Sequence, residues 1–186
     1  MRRSSLVMLL LLAAAGCRDE PLEPMTTYES GEIQARAYDF QVYPESRFKE
    51  DLTLALRRAH LLLNPSLVEA PPMALYETDA PVEDVAKFYI EKYGYGQLAP
   101  NEINDFSAVK PSSYLTTGDL AADAAAIAPI AEKLNYPFQP GRISGTWRGA
   151  HITPRDRFPA VNIQRPYIDV VHDRVVDKTL ITLMRE

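Results

Sequence analysis

Five arginines, Arg142, Arg148, Arg155, Arg157 and Arg165, fall close together near the C-terminus, with Trp147 and His151 among them. Guanidinium groups make paired hydrogen bonds to carboxylates and phosphates, so this set could recognise an anionic partner such as a lipid headgroup, an acidic glycan or an acidic protein surface. Strand alternation places Arg142 and Arg148 on the face opposite Trp147, and Asp156, Asp169 and Asp173 offer the arginines partners inside the fold. Two expectations therefore stand side by side. Either Arg148, Arg155, Arg157, Arg165 and Trp147 form a face for an anion or partner, or these arginines pair internally.

Paired carboxylates divide acid and base roles when their surroundings split their pKa values. Glu77 with Asp79 and Asp173 with Asp177 are the candidates, and capping, turn formation and solvation account for all four equally well. His60, His151 and His172 are far apart, so a metal site would have to be assembled by the fold. Ser112, Ser113 and Ser144 lack a nucleophile elbow, and the HExxH, GxxxxGK[ST] and EF-hand patterns do not occur. Gly94 to Ala99 fits GxGxxA, but that run follows a predicted helix and meets Pro100, whereas a dinucleotide-binding turn opens a helix after a strand. The sequence predicts no catalytic set, no metal and no cofactor.

The chain has 186 residues, 20 Lys and Arg against 25 Asp and Glu, and a net charge of −5. That charge is polarised: residues 17 to 140 hold 10 basic and 20 acidic side chains, residues 141 to 186 hold 8 and 5. A hydrophobic fraction of 46% with 24% charged residues excludes a disordered, fibrous or multi-span membrane chain. The one cysteine, Cys17, excludes an internal disulfide framework and a cysteine-based zinc cluster.

Arg2 and Arg3 precede an unbroken apolar run from Leu6 to Ala15, closed by Ala14-Ala15-Gly16-Cys17. This is the layout of a secretory signal, and its run is about half of the roughly 20 residues that span a bilayer. The segment resembles the signal of bacterial lipoproteins, which ends in small residues followed by Cys. The resemblance covers these 17 residues and implies cleavage between Gly16 and Cys17, a diacylglycerol thioether on the Cys17 sulfur, and acylation of the new amine with a chain such as palmitate. Ala14 stands where that family most often has Leu. Cleavage after Ala15 is the alternative and leaves Cys17 a thiol. Arg18 stands where an Asp would signal inner-membrane retention, so the resemblance implies the outer membrane, facing the periplasm, in a diderm host. An exported location argues against a nucleic-acid partner.

The elements that must position these residues follow from periodicity. Residues 18 to 27, RDEPLEPMTT, show none and read as an extended tether reaching about 30 Å at roughly 3.3 Å per residue. Alternation predicts a strand over Tyr38 to Val42, stopped at Pro44. Apolar residues at helical spacing predict a helix from Phe48 to Leu63. Met73 to Thr78 reads as a strand, followed by a helix capped by Asp79, with Pro81 in its first turn, a stripe of Val82, Val85, Ala86, Tyr89, Ile90 and Tyr93, and Gly94 as its stop. This unit is similar to ones in small exported bacterial proteins, a likeness that implies no activity. Asn101 to Thr117 reads as loop with a short strand near Tyr114, and Asp119 caps a third helix kinked at Pro129. Beyond Pro140 come strands at Ile143 to Ile152, Val161 to Gln164 and Thr179 to Met184, the last apolar on both faces like a central strand.

The predicted organisation is a signal peptide over 1–16, lipidated Cys17 with a tether over 17–36, and one α+β domain over 37–186. That domain is expected to hold a mainly antiparallel sheet of about four to five strands with two or three helices on one face. The predicted function is that of a lipid-anchored cell-envelope protein acting as a non-enzymatic binding or assembly module; the alternative is an envelope hydrolase with carboxylate and histidine residues assembled by the fold.

Overall fold

The computed structural model describes residues 40–93, 113–153 and 159–185. Cys17, the leader and the tether lie outside the described residues, as do Tyr38, Gly94, Arg155 and Arg157. Eight strands and three helices follow in the order β1 (Arg47–Phe48), α1 (Glu50–Leu63), β2 (Met73–Thr78), α2 (Val82–Tyr93), β3 (Ser113–Asp119), α3 (Leu120–Lys133), β4 (Thr146–Ile152), β5 (Ala160–Arg165), β6 (Tyr167–Asp169), β7 (Arg174–Val176) and β8 (Thr179–Met184). Six strands form one sheet in the order β1-β2-β8-β5-β4-β3. Every neighbouring pair in it is antiparallel, and β6 and β7 form a separate hairpin. The domain is α+β, as its sequence predicts.

Two details differ from the sequence reading. The sheet has six strands instead of four to five, because β1 is only two residues long and β3 is built from Ser-Tyr-Leu-Thr-Thr-Gly-Asp, which shows little apolar alternation. The helices also cover both faces. Side chains alternate along β2, so Ala74 and Tyr76 join the core under α2, while Met73 and Leu75 join a second core under α1. β8 divides the same way: Ile181 and Leu183 point to α2, Leu180 and Met184 to α1. A strand apolar on both sides needs cover on both.

Local signals set the helices. All six residues of the predicted α2 stripe are buried. Asp119 caps α3 by accepting from Ala121 N at 2.7 Å and Ala122 N at 3.1 Å. α3 stops at Asn135, whose φ of 57° is the left-handed conformation, and Tyr136 N bonds back to Ala131 O at 2.9 Å. α1 is tied to the sheet by the fully buried Thr53, whose Oγ1 accepts from Leu75 N at 3.0 Å, and by Lys49 N donating to Leu75 O at 2.8 Å. Phe40 to Val42 is irregular and not a strand; Phe40 is buried in the α2-side core, under the Arg185 guanidinium at 5.6 Å. Among the described residues no helix is long and apolar enough to cross a membrane.

Candidate binding groove

α1 and α3 lie on the same face of the sheet but over different strands, α1 against β2 and α3 beside β3 and β6. The strip of sheet between them is left as the floor of a groove, made by Leu75, Gln164 and Leu180. Leu52, Leu56 and Ala59 of α1 form one wall, and Ile127, Ile130 and Ala131 of α3 the other. Tyr167, Ile168 and Val170 also line the groove. The water-accessible volume is ≈ 90 Å³.

Polar groups border the groove at few points, and each is positioned from below. Asp123 projects from the first turns of α3 and accepts a hydrogen bond from Trp147 Nε1 at 2.5 Å. Burial holds the Asp123 carboxyl at about 6, against the opposing pull of the Trp147 bond, with the nearby Asp119 adding to the rise. The Tyr167 ring lines the groove while its hydroxyl donates to Glu77 Oε2 at 2.6 Å, and burial raises its pKa further than that carboxylate does. Arg47 and Lys178 reach the other oxygen of Glu77 at 3.6 and 3.5 Å. Among the described residues the lining holds no histidine, serine, lysine or arginine. Such a site suits binding of apolar matter.

Asp123 makes a testable link between pH and stability. Its folded pKa lies above that of an unfolded Asp, so its contribution is fully present below about pH 4 and is lost as pH rises through about 6. Relative to wild type, Asp123→Asn is therefore expected to gain stability from about pH 4 to about pH 6 and then level off. Melting curves of both proteins across that range check this; a constant difference would contradict the burial of this carboxylate.

The sequence-predicted residues separate into distinct surroundings. Arg148 and Arg165 are direct cross-strand partners on the α2 face. Arg148 Nε lies 2.8 Å from Glu83, and Arg165 bonds Asp177 Oδ1 at 3.0 Å and Asp79 O at 2.9 Å. These pairs are largely exposed and stabilise by roughly 0–1 kcal/mol each. Trp147 projects from the opposite face of β4, into the α3 side. Arg142 reaches Asp173 at 3.7 Å. The structure thus brings Arg148 and Arg165 together and sets Trp147 apart from them. Glu77 and Asp79 share Lys178, whereas Asp173 and Asp177 go to different partners.

Of the histidines, His151 Nδ1 meets Asn162 Oδ1 at 2.5 Å and its Nε2 meets Thr153 Oγ1 at 3.2 Å. Burial lowers its pKa, with the Asn162 bond opposing. Burial lowers that of His60 too. His172 joins Asp51 and Asp169, and one donor atom from each lies within 4.8 Å of the others. That donor set resembles a divalent-cation site. Its chemistry fits less well, because the fully buried Asp169 already accepts from His172 N, His172 Nδ1 and Arg174, whose guanidinium is a cation in place. The cluster's evident work is to hold the β6–β7 hairpin against the first turn of α1.

Sequence reasoning missed the groove, Asp123 and Gln164. The signals present were the small residues of α1 and α3 and two glycines, Gly118 and Gly149, in strand interiors, which mark close approach. A Cβ on Gly118 would sit 2.4 Å from the Trp147 ring, and one on Gly149 2.3 Å from Ile163 O. The glycines make the bed on which the indole lies, and the indole in turn holds Asp123 at the groove. Comparison with protein-family models, with curated proteins and with solved structures finds no match to this chain.

Proposed function

We propose that this is a lipid-anchored protein of a cell envelope whose domain is a non-enzymatic binding module, with the groove between α1 and α3 as its binding site. The observation that carries the reading is the groove itself: an apolar slot between two helices, floored by the sheet and bordered by the Asp123 carboxyl, which burial pushes up to about 6. The leader and Cys17 support the address. The Arg18 to Thr27 tether would let the domain work away from the bilayer surface, on the outer membrane in a diderm host.

Uncharged N-phenyl-1-naphthylamine, which brightens in apolar surroundings and can seat one ring in a slot that is open on one side, tests the groove. The wild-type domain is expected to bind it saturably, and Ala131→Phe, which fills the slot from the α3 wall, to abolish saturation. Ile127→Asp, at a half-buried position, is a second variant that leaves the core intact and is expected to weaken binding about tenfold or more by placing a charge in the slot. Saturable binding unchanged in both variants would refute the site. For the address, the intact mass of membrane-extracted protein is expected to begin at Cys17 and carry acyl chains; a chain beginning at Gly16 or Met1 would refute the anchor.

A further inference from the structure

Resting on the groove as the binding site, we infer that its ligand is a single unbranched hydrocarbon chain whose end group is not anionic, the chain of a lipid rather than a free fatty acid. Shape is the first argument. An apolar cavity of about 150 Å³ takes the six carbons of benzene, so the ≈ 90 Å³ here takes on the order of four. That is a short stretch of one aliphatic chain.

Lining chemistry is the second argument. The walls are aliphatic: Leu52, Leu56 and Ala59 face Ile127, Ile130 and Ala131, so methylene groups find contact along both sides. Charge is the third. Asp123 borders the slot, and among the described residues no lysine, arginine or histidine lines it to offset a second negative charge. A carboxylate end group would meet Asp123 in a site poor in water, where like charges repel far more than in bulk solvent. A hydroxyl, ester or amide end meets hydrogen-bonding groups instead, the Asp123 carboxyl and the Gln164 amide. Asp123 is fixed there by Trp147, whose indole is the protein's only tryptophan. Its fluorescence therefore reports on the slot through Asp123.

The test is a titration of the full domain with straight-chain 1-alkanols from butanol to dodecanol, read by Trp147 emission and calorimetry. Affinity is expected to rise about fourfold per added methylene. The rise should flatten within the series, once the chain outgrows the slot. At pH 7.5 octylammonium is expected to bind about tenfold or more tightly than octanoate, and Asp123→Asn to bring the two close together. Alkanols that fail to bind a domain that still binds N-phenyl-1-naphthylamine would overturn the chain assignment and leave the groove standing. Failure of both ligands would overturn both. Octanoate binding as tightly as octylammonium in the wild type would overturn the role given to Asp123.

Discussion

Replacing Trp147 by Ala is expected to lower the free energy of unfolding by about 3–5 kcal/mol, the usual range for a buried aromatic cut to a methyl group. The indole is buried among Leu120, Ala124 and Ile143, so its removal leaves a void where α3 meets the sheet. It also removes the hydrogen bond to Asp123 and leaves a buried carboxyl without that donor. Trp147→Phe keeps most of the apolar contact and loses the donor, so its cost is expected to be smaller. Denaturant unfolding followed by far-ultraviolet circular dichroism measures both, since the signal does not depend on tryptophan. A loss under about 1 kcal/mol for Trp147→Ala would mean that α3 is not held by this ring.

Gly149→Ala is expected to destabilise by about 1–3 kcal/mol, near the top of that range for overpacking. The added Cβ meets Ile163 O at 2.3 Å and the Trp147 ring at 3.0 Å. A backbone carbonyl in the middle of the β4–β5 pairing cannot swing aside as a flexible side chain can, so the strands must separate. Gly141→Ala is the control. Nothing lies within 4 Å of its added Cβ, and its stability is expected to stay within about 0.5 kcal/mol of wild type. Equal losses in the two variants would contradict the close packing of β4 on β5.

What the sequence disclosed was local. Asp119 could be read as a cap because its chemistry acts within three residues, and the α2 stripe because six apolar side chains recur at helical spacing in one segment. Thr179 to Met184 announced a central strand through residues apolar on both faces, and β8 indeed lies between β2 and β5. That same pattern implies cover on both faces, an implication the one-sided helix layout overlooked. The groove was not legible, because it is the space left between α1 and α3, and its floor comes from β2, β5 and β8, up to about a hundred residues apart. Asp123 was not singled out, because the Trp147 indole that bonds it stands 24 residues away. The arginines read as a face because they cluster in sequence, while strand alternation and Glu83, Asp79 and Asp177, brought by other segments, decide where Arg148 and Arg165 point.

The central claim is that ligand enters between α1 and α3, and backbone amide spectra of the ¹⁵N-labelled domain titrated with N-phenyl-1-naphthylamine test it most directly. The account predicts that resonances of α1 from Leu52 to Ala59, of α3 from Asp123 to Ala131, and of Gln164 and Leu180 shift together and saturate, while those of the α2 helix on the opposite face stay in place. Saturating shifts centred on α2, or no shifts at probe concentrations that saturate the fluorescence signal, would contradict it.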